Sequence, residues 1–204
     1  MKIGGIILAA GESRRMGHNK LLAEIGGHNM VRRTAMAALA STVLAPVIAV
    51  LGHQGEAVRA VLQDLPIEFI GNPDFAAGLS ASLKLGIAAL PPTVDGAVIL
   101  LGDMPLTGAG TIRLLADAFD PENGRAICVP VHQGRRGNPV LLGRRFFPEI
   151  TQLQGDTGAR GLIARHQAFV VAVEIGDDSV LADIDTPEAL EAIRRAEENN
   201  PGAK

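Results

Sequence analysis

Residues 3–20 read IGGIILAAGESRRMGHNK, an apolar run that passes into a turn of small residues and then into a basic stretch. The small residues at 9–11 let backbone N–H groups approach an anion without obstruction by side chains. The cations Arg14, Arg15 and Lys20 follow within seven residues. Because ligands of open parallel sheets usually bind at the carboxyl ends of strands, this pattern predicts an anion site after the first strand of an α/β domain.

The spacing within this loop matches neither of two common phosphate-binding motifs. It lacks G-x-x-x-x-G-K-[ST], and it also lacks G-x-G-x-x-G. On physical grounds alone, a surface loop with solvated charges therefore stays open as an alternative to an anion site.

Short apolar runs alternate with longer helical patterns along the chain, which favours βαβ units, a mainly parallel sheet and the α/β fold class. Strands are predicted at residues 2–9, 46–51, 67–70, 96–101, 126–131 and 168–174. Helices are predicted at 30–40, 56–63, 80–89, 111–118, 158–165 and 187–197, and a hairpin strand leading into a short helix at 134–147. Asp156 and Thr186-Pro187 are the start signals expected for the last two helices. We expect one domain over residues 1–198 and a flexible tail over 199–204.

Composition limits the classes of partner. The 204 residues have a net charge of −3 and contain no Trp and no Tyr, so no nucleic-acid partner is expected. The single cysteine, Cys128, lies in an apolar run and is expected to be a buried structural thiol. The apolar run near residue 3 is too short to span a membrane, so we expect a cytoplasmic protein with no membrane partner.

The stretch LAAGESRRMGHNK, residues 8–20, resembles the signature L-A-[AG]-G-x-S-x-R-M-G-x-x-K of nucleotidyltransferases that finish the molybdenum cofactor. The resemblance is to the molybdenum cofactor cytidylyltransferase family, and it implies a Rossmann-like three-layer sandwich of the nucleotide-diphospho-sugar transferase type. It implies that Arg14 and Lys20 grip a triphosphate and are catalytic, with Arg15 in a supporting role. The backbone implied to surround the base and the sugar is that of Leu8, Ala9, Ala10 and Gly11.

A second segment, residues 72–82, reads NPDFAAGLSAS and resembles the part of the family that recognises the nucleobase. The resemblance implies contacts to the base and the ribose from Gly78 and from either Ser80 or Ser82. Taken by itself, the segment is explained more simply as a turn followed by an N-cap serine.

Two carboxylates are the implied metal ligands. Asp103 lies in LGDMP after the most apolar run, and Asp185 lies in DIDTP near the end of the chain. Mg²⁺ takes hard oxygen ligands, usually one or two carboxylates completed by phosphates and water. The resemblance therefore implies Mg²⁺ on Asp103 and Asp185, across the triphosphate from the loop cations, with Asp103 also catalytic. Helix capping is the alternative role for Asp185, unless Thr186 provides the cap.

The acceptor side of the site is less well marked. In GNP, Asn138 stands where the family commonly has the His of Gly-His-Pro, which puts any acid-base role of this position in doubt. In GDTGAR, Asp156 and Arg160 resemble residues on the acceptor side, although a helix cap and a surface arginine would explain them nearly as well.

The implied reaction is attack by a phosphorylated acceptor on the α-phosphorus of a nucleoside triphosphate, with release of pyrophosphate. L-A-A-G accompanies the cytidylyltransferases, so Ala10 implies CTP, and the implied acceptor is molybdopterin carrying molybdenum. A molybdenum hydroxylase apoenzyme is the implied protein partner. Two alternatives stay open: a nucleotidyltransferase of the same fold that uses GTP or another phosphorylated acceptor, and a non-catalytic nucleotide-binding maturation factor.

Overall fold

The computed structural model describes residues 1–13, 16–156 and 158–199, and its elements are numbered within that part of the chain. The strands are β1 (Ile3–Ala9), β2 (Glu24–Ile25), β3 (His28–Asn29), β4 (Leu44–Leu51), β5 (Glu68–Gly71), β6 (Gly96–Leu101), β7 (Ile127–His132), β8 (Arg135–Arg136), β9 (Val140–Gly143) and β10 (Val170–Glu174). The α-helices are α1 (Met30–Ala40), α2 (Gly55–Ala60), α3 (Leu79–Ala89), α4 (Ala109–Ala118), α5 (Phe147–Ile150), α6 (Arg160–Arg165) and α7 (Pro187–Asn199).

One sheet carries most of these strands, in the order β10-β7-β9-β6-β1-β4-β5, with β8 paired to β7. The pairings of β1 with β4 and β6, of β4 with β5 and of β7 with β10 are parallel. Strand β9 runs antiparallel to both of its neighbours, β6 and β7. The predicted, mainly parallel sheet is therefore confirmed. Strands β2 and β3 form a separate two-stranded sheet.

Helices cover both faces of the sheet because the central strands are apolar on both sides. Ile7 on β1 packs into a buried cluster with residues of α1, α2 and α4. Ile6 and Leu8 point to the opposite face and pack with residues of α3, α5 and α6. This alternation along one strand produces the predicted three-layer α/β sandwich.

The two predicted helix-start signals have different outcomes. Thr186 does cap α7, since its Oγ1 accepts a hydrogen bond from the Ala189 backbone N–H at 3.2 Å. The prediction for Asp156 is wrong: its Oδ1 accepts from the backbone N–H of Leu79 at 3.0 Å, at the start of α3. The carboxylate thus stabilises a helix that begins 77 residues earlier in the chain, rather than α6, which follows it.

Two expectations from composition concern the cysteine and membrane-spanning segments. The Cys128 thiol is free and buried, and burial raises its pKa from 9.0 to about 12, which fits a structural thiol. Within the described residues, no helix is long and apolar enough to cross a membrane. Residues 200–204 of the predicted tail lie outside the described part of the chain.

Candidate functional site

A cleft of about 440 Å³ opens at the carboxyl edge of the parallel strands. It lies where β1 runs into the loop at 10–13, where β6 runs into Asp103, and where α3 begins. One part of its wall is polar and includes Ser13, Lys20 and Asp103, and another part is largely apolar and includes Phe75, Leu79 and Leu101. Such a cleft suits a ligand with an anionic part and a flat, less polar part.

Side chains that the sequence analysis did not single out hold the basic loop in place. Met16 is buried in a small cluster with Ile25, Met30, Ile184 and Leu190. Asn19 is 4% exposed, and its Oδ1 accepts from the Leu21 backbone N–H at 3.1 Å while its Nδ2 donates to the His53 carbonyl at 3.4 Å. The sequence offered little sign of these roles, since it shows only that Met16 follows Arg15 and that Asn19 precedes Lys20.

The loop also closes on itself. The Met16 backbone N–H donates to the Ser13 carbonyl at 2.9 Å, and the Lys20 backbone N–H donates to Ser13 Oγ at 3.1 Å. Arg14 and Arg15, predicted to contribute cations, lie outside the described residues. Among the described residues that line the cleft, Lys20 is the cation.

Lys20 joins the two predicted carboxylates. Its Nζ lies 2.6 Å from Asp103 Oδ2 and 2.5 Å from Asp185 Oδ1. A backbone hydrogen bond of 3.1 Å from the Ile184 N–H to the Asp103 carbonyl holds the two acidic segments side by side. Residues more than 80 positions apart thus meet at one point, where Lys20 contacts both carboxylates directly.

The charge state of Lys20 follows from these contacts. Burial alone would lower the pKa of the ammonium group, but attraction by Asp103 and hydrogen bonds to both carboxylates outweigh it and raise the pKa above 10.5. Lys20 is therefore a cation at neutral pH, although its side chain is only 12% exposed.

The carboxylate pair has the chemistry of a divalent-cation site. Asp103 and Asp185 both offer hard oxygen atoms to the Lys20 ammonium group, and Mg²⁺ commonly binds through one or two carboxylates. Among the described residues there is no group of three or more His, Cys, Asp or Glu side chains that could enclose a metal. A divalent ion held here would therefore complete its shell with water and with oxygen atoms of a bound phosphate.

At the other end of the cleft, the first turn of α3 presents Gly78, Leu79 and Ser82. Gly78 has φ +101°, and a Cβ there would lie 2.5 Å from Asp156 Oδ1, so the close approach of the two segments requires glycine. Ser80, the other predicted contact, lines a neighbouring groove together with Gly155 instead of this cleft. Of the two serines left open by the sequence, it is Ser82 that faces the cleft.

Of the three predicted acceptor residues, one lines the cleft and two do not. Asp156 lines the cleft. Asn138 is half-buried, and its backbone N–H donates to the Val180 carbonyl at 2.9 Å. It lies just before Val140, the residue of β9 that pairs with Ile99 near the end of β6, so Asn138 lies at the same sheet edge as Asp103. Arg160 is exposed at the start of α6 and is not among the residues lining the cleft.

The chain is thus an α/β sandwich in which the loop after β1 brings Lys20 to two carboxylates at the carboxyl edge of the sheet. Residues 5–169 match the model of the MobA-like NTP transferase domain, and the chain belongs to this family of nucleotidyltransferases. Asp185 lies beyond the matched region.

Among curated proteins, the chain is 33% identical to the purine catabolism protein PucB of Bacillus subtilis, over 94% of this chain and 96% of that protein. It is 29% identical to the molybdenum cofactor cytidylyltransferase of Escherichia coli, over 90% and 91% of the two chains. It is 27% identical to the nicotine blue oxidoreductase of Paenarthrobacter nicotinovorans, over 92% and 94%.

Solved structures agree on the fold. The crystal structure of Rv0371c from Mycobacterium tuberculosis aligns with a TM-score of 0.84 and 26% identity, over 96% of this chain and 98% of that one. A complex of Rv0371c with manganese aligns with a TM-score of 0.80 and 25% identity, over 96% and 100%.

Proposed function

We propose that this protein transfers CMP from CTP to molybdopterin carrying molybdenum, releasing pyrophosphate and giving the cytosine dinucleotide form of the cofactor. The observation that carries the proposal is the meeting of Lys20, Asp103 and Asp185 beside a cleft whose wall includes Lys20 and Asp103 as well as the apolar side chains of Phe75, Leu79 and Leu101. The similarity to the cytidylyltransferase of Escherichia coli supports the choice of acceptor.

In this proposal the loop and the lysine bind the triphosphate. The backbone at Ala10 and Gly11 lies at the end of β1 and lines the cleft, so its N–H groups can approach phosphate oxygens. Lys20 would turn from the carboxylates to the β- and γ-phosphates and neutralise charge as pyrophosphate leaves. Arg14 is proposed to assist it.

Asp103 and Asp185 would hold Mg²⁺, which when bound screens the negative charge of the phosphates. The protein would align the acceptor phosphate with the α-phosphorus and the leaving group. No general base is required, because a phosphate monoester is already ionised near neutral pH. Asn138, whose side chain is neutral at this edge of the sheet, is compatible with a mechanism that needs no acid or base at that position.

Ala10 supports a pyrimidine. A Cβ on Gly52 would lie 2.7 Å from Ala10 Cβ and 2.6 Å from Phe75 Cβ, so the Ala10 methyl group lies beside Gly52 and near Phe75, and both Ala10 and Phe75 line the cleft. A methyl group there takes up space that the second ring of a purine would need. The Ala10 carbonyl accepts from the His53 N–H at 3.2 Å, which fixes the position of this wall.

The test is pyrophosphate release by the purified protein with Mg²⁺, CTP and molybdenum-loaded molybdopterin. GTP replaces CTP in a parallel reaction, and the Asp103→Asn variant is the control for contaminating activity. Release that needs both CTP and the acceptor is the expected result. Release with GTP alone would overturn the choice of nucleotide but leave nucleotidyl transfer in place.

The second candidate is a nucleotide-binding maturation factor for molybdenum hydroxylases. It is favoured by the relatives named for purine catabolism and for nicotine blue oxidation, since neither name denotes nucleotidyl transfer. A pure binder could hold a nucleotide with the loop alone, so the carboxylate pair argues for catalysis. Tight CTP binding without pyrophosphate release in the assay above would favour the maturation factor.

A further inference from the structure

Asn72 is a buried polar residue that belongs neither to the loop after β1 nor to the carboxylate pair, so its burial needs another explanation. It is 3% exposed and directly follows β5. Its backbone N–H donates to the Leu51 carbonyl at 2.7 Å, which continues the pairing of β5 with β4. Its side chain reaches α3, where Nδ2 lies 2.9 Å from Ser82 Oγ.

The orientation of the Asn72 amide is fixed by chemistry. The backbone N–H of Asp74 lies 2.9 Å from Asn72 Oδ1, and an N–H group can only donate. The oxygen must therefore face Asp74, and the NH₂ group must face Ser82. Ser82 Oγ is consequently the acceptor in the Asn72–Ser82 hydrogen bond.

This hydrogen bond determines what Ser82 offers to a ligand. A helical serine often donates its hydroxyl proton to the carbonyl four residues earlier, but the described residues contain no other hydrogen bond of the Ser82 side chain. With one lone pair engaged by Asn72, the O–H group remains available as a donor. Ser82 lines the cleft, so the available acceptor is a bound molecule.

The phosphate groups are not that acceptor, because the N-terminus of α3 is already occupied. The N–H groups of Leu79 and Ser80 donate to Asp156 Oδ1 at 3.0 Å and to the Gly155 carbonyl at 3.1 Å. The Asp156 carboxylate also repels anions there. Phosphates bind best near Lys20, which leaves the nucleoside for the end with Phe75, Leu79 and Ser82.

We propose that Asn72 is a positioning residue that turns the Ser82 hydroxyl group into a hydrogen-bond donor for an acceptor atom of the nucleoside base. The proposal rests on the proposed function, because it assumes a nucleotide in the cleft. Asn72 itself does not line the cleft and acts only through Ser82.

Replacing the Asn72 NH₂ group by an oxygen atom tests whether Asn72 positions the Ser82 hydroxyl group. In Asn72→Asp, Oδ1 still accepts from Asp74, but Oδ2 can only accept, so the Ser82 proton turns back toward it and away from the cleft. Wild type, Asn72→Asp, Ser82→Ala and the double variant are titrated with CTP and with tripolyphosphate, which lacks the nucleoside, by calorimetry in the presence of Mg²⁺. Ser41→Ala is the matched control, because it removes a buried hydroxyl group at the C-cap of α1 that donates to the Ala38 carbonyl instead.

Each single variant is expected to weaken CTP binding about fivefold, the size of one net hydrogen bond, and Ser41→Ala to leave it unchanged. Tripolyphosphate has no nucleoside, so its binding reports only the negative charge that Asn72→Asp adds. In the Ser82→Ala background, Asn72→Asp is therefore expected to weaken CTP binding no more than it weakens tripolyphosphate binding. If Asn72→Asp lowers CTP affinity by the same factor in wild type and in Ser82→Ala, the positioning role is overturned. If Asn72→Asp does not fold in a melting experiment, Asn72→Ala replaces it in the same cycle, with the same coupling expected.

The two levels of the hypothesis fail separately. Wild-type protein that binds neither CTP nor tripolyphosphate contradicts the proposed function. Wild-type protein that binds CTP more tightly than tripolyphosphate, with no coupling between residues 72 and 82, contradicts only the role of Asn72.

Discussion

In the Lys20→Met variant, Asp103 and Asp185 lose the ammonium group that joins them at 2.6 Å and 2.5 Å. Methionine keeps a stem of similar length, so the change is mainly one of charge. A hydrogen bond to a charged group contributes about 1.5–3 kcal/mol, but the Asp185 side chain is 36% exposed and solvent screens its share. We expect the free energy of unfolding to fall by about 2 kcal/mol and Tm by about 4–8 °C.

A divalent cation should reverse much of this loss. Lys20→Met leaves two neighbouring carboxylates without the ammonium group, and a ligand present at ten times its Kd stabilises the folded state by about 1.4 kcal/mol. In wild type the same ion must displace the ammonium group, so its effect on Tm in the absence of nucleotide should be smaller.

The assay is thermal unfolding of the two proteins with and without MgCl₂ or MnCl₂. Lys84→Met controls for removal of a lysine on α3 that forms no ion pair within the described residues, and Lys20→Met combined with Asp103→Asn controls for the carboxylates. Equal stabilisation of wild type and Lys20→Met by the metal would refute the idea that the lysine and the metal share these oxygen atoms.

Three further expectations concern the two carboxylates, the choice of nucleotide and the buried thiol. Asp103→Asn and Asp185→Asn should each lose most pyrophosphate release at saturating Mg²⁺ while their melting curves stay cooperative; activity within threefold of wild type, about 0.7 kcal/mol, would exclude that residue as a ligand. Ala10→Gly should reduce the ratio of kcat/KM for CTP over GTP by a factor worth about 1–3 kcal/mol, and an unchanged ratio would mean that the loop contacts only phosphate and sugar. Because burial raises the pKa of Cys128 to about 12, DTNB at pH 8 should label this thiol only after unfolding, and stability should decline as pH rises from about 9 toward 12; rapid labelling of the native protein would contradict both.

The sequence predicted those parts of the fold that depend on local pattern. Helix α1 begins and ends as predicted, and β6 does so as well, since an unbroken apolar run and a helical period each identify their own element. The approximate position of the site was also predictable, because it lies where β1 and β6 end. The separate hairpin of β2 and β3 was not predicted, since two-residue strands have no periodicity.

Contacts between distant segments could not be predicted in the same way. Asp156 has the residue type and position of a cap for the helix that follows it, yet it caps α3, because the packing of two loops decides which free N–H group it meets. Whether Ser80 or Ser82 faces the cleft depends on the rotation of α3 about its axis. That rotation is set by the burial of residues such as Leu83 and Ile87 against the sheet.

The hydrogen bond from Ile184 to Asp103 has a consequence for biosynthesis. All strands of the large sheet are complete once residue 174 has been made, so a nascent chain could form its central layer before the second carboxylate leaves the ribosome. The segment at 184–185 then docks last, and Met16 and Leu190 form a cluster with Ile184 only at that stage. If Asp103 and Asp185 hold a divalent ion as proposed, a chain truncated before this segment would have a folded sheet with half of that site, and metal binding would follow the docking of residues 184–185.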